Sequence, residues 1–173
     1  MSVDSTQSTV VSALHALLFS LIISLGAQID IDIAGLLPLT GQTLVILTGA
    51  LFLSLPSVLV GLGLYFLTGI AGLPVFANGH SGWESFSGGS LGYFIGFLVA
   101  AIVLCLSRKY IRGRYFPAFL ALLVGHGIVL FIGSGFLLRY YEVWEAWQLG
   151  FQPFLVGALF KSFLGAVIYG LFS

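Results

Sequence analysis

The chain has 173 residues, of which 59% are hydrophobic and only 7% are charged, and its formal net charge is zero. Soluble domains carry about 25% charged residues, so this composition excludes an ordinary soluble domain and indicates an integral membrane protein. The zero net charge gives no reason to expect a nucleic-acid partner. The long segments are apolar on all sides and do not alternate, which argues against a membrane β-barrel and predicts an all-α fold.

Six apolar segments follow a polar tail of residues 1–9, and we predict that they form one transmembrane domain covering residues 10–173. A membrane-spanning helix needs about 20 apolar residues, and the second and third segments are shorter and meet in a very tight turn at Pro56. The polar tail lacks the basic region of a signal peptide, so we expect the first segment to be retained. The approximate spans are 10–27, 40–55, 56–72, 90–107, 115–138 and 153–172.

Three connecting segments have patterns of their own. Ile and Asp alternate between residues 28 and 35, which predicts a short extended piece at the membrane surface. Residues 73–89 form a long loop rich in Gly and Ser. Residues 139–148 are amphipathic, and their Tyr and Trp side chains fit an aromatic belt where the membrane meets water.

The distribution of charge predicts the orientation of the chain. Four of the six Lys and Arg residues lie between positions 108 and 114, so the positive-inside rule places that loop in the cytoplasm. With six spans, the N- and C-termini are then also cytoplasmic, and the loop at 73–89 faces outward. The predicted outer loops hold five of the six acidic residues, namely Asp30, Asp32, Glu84, Glu142 and Glu145.

Lys161 is the first indication of a binding site, because it lies well inside the last apolar segment. A cation at the centre of a membrane helix costs at least ~2.5–3.5 kcal/mol. We therefore predict that Lys161 faces a ligand in a polar cavity, the alternative being a side chain that extends to the membrane surface. The loop at 73–89 is long for a connector in so small a protein. It is expected to fold over the site as a lid, and a plain connector is the alternative.

Small residues recur every four positions on the first segment, a pattern that lets a second helix approach closely. We predict that this stripe docks on another membrane subunit, with packing inside the chain's own bundle as the alternative. The stripe consists of Ser12, Ala16, Ser20 and Ser24.

No motif for nucleotide binding and no nucleophile constellation is visible in the sequence. His15, His80 and His126 lie on different segments without Cys or acid partners at ligand spacing. We therefore expect no metal, no cofactor and no enzyme activity.

Four stretches of the chain match, in order, the pattern of a known family: PLTGQTLVILTGALFL (38–53), GLYFLTGIAGLPVFANGHSG (63–82), GGSLGYFIGFLVAA (88–101) and QPFLVGALFKSFLGA (152–166). They resemble BioY, the biotin-specific substrate-binding subunit, or S component, of energy-coupling factor (ECF) transporters. The match extends from about residue 10 to the end of the sequence. The resemblance implies an all-α membrane protein with six transmembrane helices, an S-component-like bundle, and N- and C-termini in the cytoplasm.

The resemblance also implies a function and partners. S components capture a vitamin in an outward-facing pocket, associate with a coupling membrane subunit, and are energised by two cytoplasmic ATPases. A chain similar to them is expected to take up biotin across the plasma membrane of a prokaryote. The stripe on the first segment matches the coupling-subunit contact of such proteins.

For the binding site, the resemblance carries over two residues. Lys161 matches a Lys of the family's last helix that contacts biotin, and Asn78 lies in a loop segment that supplies another contact. Their positions in the same loop or the next helix add Trp83, Glu84 and Tyr93 as further candidates.

The last helix departs from the family pattern P-F-[LI]-P-G-D-x-x-K, because Ala158 stands where the pattern has Asp. Asp and Lys at i and i+3 would lie on one helix face and compensate each other. Without this Asp, the counter-ion of Lys161 must be a ligand carboxylate, Glu84 or another acid from a loop, or Lys161 is neutral. The alternatives to biotin uptake are therefore an S component for a related small anionic ligand, or a membrane scaffold without transport.

Overall fold

The computed structural model describes residues 3–32, 38–111 and 114–173, with the backbone alone for 3–8, 30–32, 38 and 39. Helices make up nearly all of it, together with one short pair of strands. The helices are α1 (Val3–Ala27), α2 (Gly41–Phe52), α3 (Leu55–Ile70), α4 (Gly82–Ser87), α5 (Leu91–Ile111), α6 (Tyr115–Leu137), α7 (Val143–Gly150) and α8 (Leu155–Phe172), and the strands are β1 (Asp30–Asp32) and β2 (Pro38–Thr40).

Within the described residues, four helical stretches are long and apolar enough to cross a membrane, which confirms the helical membrane-protein prediction. They are Thr9–Ala27, Leu91–Ile111, Tyr115–Leu137 and the run Val143–Phe172, in which α7 precedes α8. The helices α2 and α3 are apolar but shorter, as the sequence predicts for the second and third segments. A crossing of the membrane by all six segments stays a prediction.

The predicted tight turn at Pro56 is confirmed, since α2 and α3 are separated by only two residues. The Ser54 side chain caps α3 by accepting a hydrogen bond from the Ser57 amide at 3.4 Å. Pro56 lies in the first turn of α3, where the helix does not need its amide. Arg108 of α5 donates to the carbonyl oxygens of Phe52 and Leu53, at 3.2 and 2.8 Å. These bonds satisfy carbonyl groups that the end of α2 would otherwise leave unpaired.

The alternating Ile and Asp segment is partly extended, as predicted. Strand β1 pairs antiparallel with β2, with Ile31 opposite Leu39. Residues 33–37, which include the end of the predicted piece, lie outside the described part of the chain. Because β2 leads directly into α2, the pairing fixes the position of Thr40 and of the first turn of α2.

Close helix packing brings α5 against α6 along most of their lengths. A Cβ atom on Gly96 of α5 would lie only 2.9 Å from Cα of Val129 on α6. Glycine is therefore needed at this crossing, as is common in membrane bundles. The closeness of the two helices places the first half of α5 next to the second half of α6, where the cavity described below lies.

The small-residue stripe of α1 packs against α3. Ser57 of α3 donates from its hydroxyl to the carbonyl oxygen of Ser12 at 3.3 Å, and a Cβ on Gly61 would lie 2.9 Å from the Ala16 carbonyl oxygen. Ala16 is 1% exposed and Ser20 is 8% exposed. These two residues of the stripe are thus buried inside the chain's own bundle, and docking of the stripe on a second subunit stays a prediction. The outer face of α1 consists of large apolar side chains, among them Val10, Leu14, Leu17, Leu18, Leu21 and Leu25.

Candidate ligand-binding site

A cavity of about 530 Å³ lies between α2, α5, α6 and α8 and beneath the loop that connects α3 to α5. This volume is in the range of small-molecule binding sites. The first turn of α2, the first half of α5, the second half of α6 and the first half of α8 all contribute to it. The basic residues at the end of α5 lie at the opposite end of that helix.

Lys161 lines the cavity from α8 and is only 8% exposed. Its Nζ donates to Thr43 Oγ1 at 2.6 Å and to the Thr40 carbonyl oxygen at 3.3 Å. A lysine that reached for the membrane surface would expose its ammonium group, whereas Lys161 is buried; that it faces a ligand stays a prediction. The start of α2 therefore holds Lys161 in place inside the bundle, next to the cavity.

Ala158 lies one helical turn before Lys161 and also lines the cavity. Residues at i and i+3 share one face of a helix, so residues 158 and 161 both face the cavity. The methyl group of Ala158 gives this part of the wall no charge and no hydrogen-bonding side chain.

The loop between α3 and α5 lies over the cavity and supplies Asn78 and Glu84 to its lining. Asn78 has a positive φ of 58°, a conformation that asparagine tolerates better than most residues. The carbonyl oxygen of the neighbouring Phe76 accepts a hydrogen bond of 3.1 Å from Gln28 at the end of α1. The Phe76 side chain is only 3% exposed. The loop is therefore held to the bundle by both the carbonyl group and the buried ring of Phe76.

An aromatic wall, formed by Phe76, Phe94 and Phe97, lines the cavity below the loop. The rings of Phe76 and Phe94 have centroids 4.9 Å apart, and the rings of Phe94 and Phe97 have centroids 5.9 Å apart. Behind them, Phe86 stacks on Phe94 with a centroid distance of 4.9 Å. The sequence predictions include none of these residues.

Tyr93 also lines the cavity, from the first turn of α5. Its hydroxyl donates to the carbonyl oxygen of Gly150 at 2.7 Å. This bond joins α5 to the end of α7 and so positions the segment that leads into α8.

Trp83 is the one predicted site residue that does not line the cavity. It is 63% exposed, and its ring lies 6.0 Å from the ring of Phe86, which is behind the aromatic wall. The structure thus brings Asn78, Glu84, Tyr93 and Lys161 together and leaves Trp83 outside.

Several polar residues of the site were missed by the sequence predictions, among them Gln42, Thr43 and His126. Gln42 lines the cavity and donates from Nε2 to the hydroxyl of Tyr65 at 2.9 Å. His126 lines it from α6 and is 3% exposed. The signal for His126 was available, because an ionisable residue inside an apolar helix is expensive wherever it occurs. We refer to Thr43, His126 and Lys161 together as the polar wall.

The sequence model of the BioY family matches residues 2–172 of the chain. "Biotin transporter BioY2" of Lactococcus lactis subsp. cremoris is 34% identical over 163 residues, which cover 89% of each chain. "Probable biotin transporter BioY" of Pyrococcus horikoshii is 31% identical over 151 residues, which cover 87% of this chain and 89% of the relative.

A solved structure, the S-component for biotin from an ECF-type ABC transporter, superposes with a TM-score of 0.81 at 22% sequence identity. The superposition covers 95% of this chain and 92% of the solved chain. At this level of identity the likeness shows a shared fold. Together with the match over nearly the whole sequence, it leads to one conclusion: the chain is a membrane protein that belongs to the BioY family.

Proposed function

We propose that the chain is the biotin-capturing S component of an ECF-type transporter and contributes binding without chemistry. The observation that carries this proposal is the buried Lys161 on the wall of a cavity of about 530 Å³. The proposal is supported by relatives named as biotin transporters, which match along nearly the whole chain.

Biotin suits this cavity chemically. It combines an apolar sulfur-containing ring and an aliphatic chain with a carboxylate and a cyclic ureido group. Ligand sites are mostly apolar with a few placed polar groups. The aromatic wall packs against the apolar part, and Lys161 donates to an acceptor oxygen of the ligand. Asn78 and Glu84 close the loop over it, while Tyr93 keeps the segment before α8 in position.

We further propose six membrane crossings in a single domain, residues 10–173, with both termini in the cytoplasm. At 1.5 Å per residue, α2 and α3 are about 18 and 24 Å long, so the residues around them complete these two crossings. Arg108 and Lys109 lie in the last turn of α5, and the cavity lies near its first turn. With the basic end inside, the cavity opens outward.

The proposed partners are a coupling membrane subunit and two cytoplasmic ATPases in the plasma membrane of a prokaryote. The S-component fold supports this assignment, and α1 is proposed as the docking helix. Within its small-residue stripe, Ser12 and Ser24 are half-buried, whereas Ala16 and Ser20 pack inside the bundle. We therefore place the contact on the exposed apolar face of α1 beside the stripe.

A second candidate ligand is a related small anion, and the observation that favours it is Ala158. With a methyl group at this position, the cavity wall lacks the carboxylate that the family pattern provides. A small anion that does not need to donate a hydrogen bond to residue 158 would fit this cavity equally well.

Calorimetric titration of the purified chain in lipid nanodiscs tests the proposal. We expect biotin to bind, and valerate, which has the carboxylate and chain but no ureido ring, to bind much more weakly. If no binding of biotin is detected up to millimolar concentration, the biotin assignment is wrong. Tight binding of another small anion would then identify the second candidate.

A further inference from the structure

His126 has an imidazole ring that is fixed in one orientation on the polar wall. Its Nδ1 atom lies 2.9 Å from the carbonyl oxygen of Leu122, one turn earlier on α6. The same atom lies 3.0 Å from the hydroxyl oxygen of Ser162 on α8. Two helices therefore hold one edge of the ring, and the opposite edge carries Nε2.

The hydrogen bonds determine which nitrogen carries the proton. A carbonyl oxygen can only accept, so the contact with Leu122 requires a hydrogen on Nδ1. Ser162 has a single hydroxyl hydrogen, which it donates to the carbonyl oxygen of Ala158 at 2.7 Å. The Ser162 oxygen is thus also an acceptor towards His126. Both contacts assign the hydrogen to Nδ1, and in a neutral imidazole this leaves Nε2 as an acceptor.

A neutral ring is the form that the surroundings favour. Lys161 already brings an ammonium group to this wall, and a second cation in the interior of a membrane bundle would add a further cost. Ser162, which contacts the ring, is the next residue after Lys161 in the sequence.

The Nε2 atom of His126 is buried and has no hydrogen-bond partner in the part of the chain that the structure describes. Buried polar groups in proteins are nearly always paired. Among the described residues of α6 and α8 that line the cavity, only His126 and Lys161 have polar side chains. An ammonium group donates and never accepts. Nε2 is therefore the one side-chain acceptor among the cavity-lining residues of α6 and α8 that the structure describes.

We propose that Nε2 of His126 accepts a hydrogen bond from a neutral N–H group of the ligand, of the urea or amide type. This inference rests on the proposed function, because biotin carries two such groups in its ureido ring and none elsewhere. His126 then turns the ureido ring towards α6 and selects against ligands that lack an N–H donor. An ordered water on Nε2 is the alternative occupant.

Two substitutions of His126 test the contributions of its Nδ1 and Nε2 atoms separately. In His126→Asn, the short amide keeps an N–H group near Leu122 and Ser162 but leaves nothing at the position of Nε2. In His126→Gln, the longer side chain brings an amide oxygen to that position. We expect His126→Asn to weaken biotin binding by about tenfold to a hundredfold, and His126→Gln to recover part of this loss.

Biotin methylated on both ureido nitrogens supplies the matched ligand. The wild-type chain is expected to bind it more weakly than biotin, and the penalty for methylation should shrink in His126→Asn. The inference is overturned if His126→Asn binds biotin as well as the wild type does, as it would with a water on Nε2. Where the variant does not fold, equal wild-type affinity for biotin and its methylated form overturns it. A wild-type chain that binds no biotin at all would instead contradict the proposed function and the inference together.

Discussion

The two walls of the cavity differ in how they are built. The aromatic wall is a continuous set of rings whose contacts extend to Phe66 and Phe86 behind it. The polar wall consists of three side chains from three helices. Lys161 donates to Thr43, and His126 is held by Leu122 and Ser162. Removing a ring therefore disturbs many neighbours, whereas removing a polar group disturbs one or two. We expect the aromatic wall to govern stability and the polar wall to govern ligand selection.

Replacing Phe94 by Ala gives the largest expected effect on stability. Phe94 contacts the rings of Phe66, Phe76, Phe86 and Phe97, and large-to-small changes at such positions cost about 3–5 kcal/mol. Thermal unfolding in detergent should show a marked drop in Tm, and proteolysis of the loop over the cavity should become faster.

The matched control for Phe94 is Phe116→Ala, because Phe116 is 68% exposed at the start of α6. Its Tm is expected to stay close to that of the wild type. An equal loss of Tm in both variants would show that the aromatic wall has no special role in stability.

Replacing Lys161 by Met should weaken biotin binding by roughly tenfold to a hundredfold, because a charge-assisted hydrogen bond is worth about 1.5–3 kcal/mol. The stability should be kept or increased, since a cation inside a membrane bundle carries a desolvation cost that Met does not. Titration calorimetry and thermal unfolding of the same preparation measure the two effects.

Lys109→Met is the control for this change, as Lys109 is exposed at the far end of α5. It removes an equal charge and should leave the affinity unaltered. A Lys161→Met variant with wild-type affinity would remove Lys161 from the site.

The smallest expected effects are on biotin affinity, in substitutions of two residues of the same loop, Asn78 and Trp83. Asn78→Gly keeps the positive φ of 58° without strain but removes the amide, so the affinity for biotin should fall about fivefold. Trp83→Ala should change it by less than about twofold, because Trp83 lies outside the cavity lining. The reverse order in a calorimetric titration would mean that the loop rearranges when the ligand binds.

Much of the fold was predictable because membrane helices have a strong sequence signal. The energetic cost of a buried cation also drew attention to Lys161, which the structure places inside the bundle. The same cost applies to His126, but its hydrogen bonds come from Leu122 and from Ser162 on another helix, and no sequence pattern connects these residues.

Other parts of the site depend on directions that sequence does not specify. Trp83 and Glu84 are adjacent, yet only Glu84 lines the cavity, because successive side chains of a short helix point to different sides. The chain has 16 Phe residues, and composition alone cannot select the three of the aromatic wall. A stripe such as Ala16 and Ser20 fits either a partner or α3, and only tertiary packing distinguishes the two.

Arg108 combines two tasks that are usually assigned to different residues. In the proposed orientation it belongs to the basic cluster that keeps this end of the chain inside during insertion. In the finished fold its guanidinium is engaged with the carbonyl oxygens of Phe52 and Leu53. The charge that orients the chain during insertion thus also caps the C-terminal end of α2 once the bundle has formed. Topology and folding are therefore coupled at this side chain, whereas the exposed Lys109 beside it can serve topology alone.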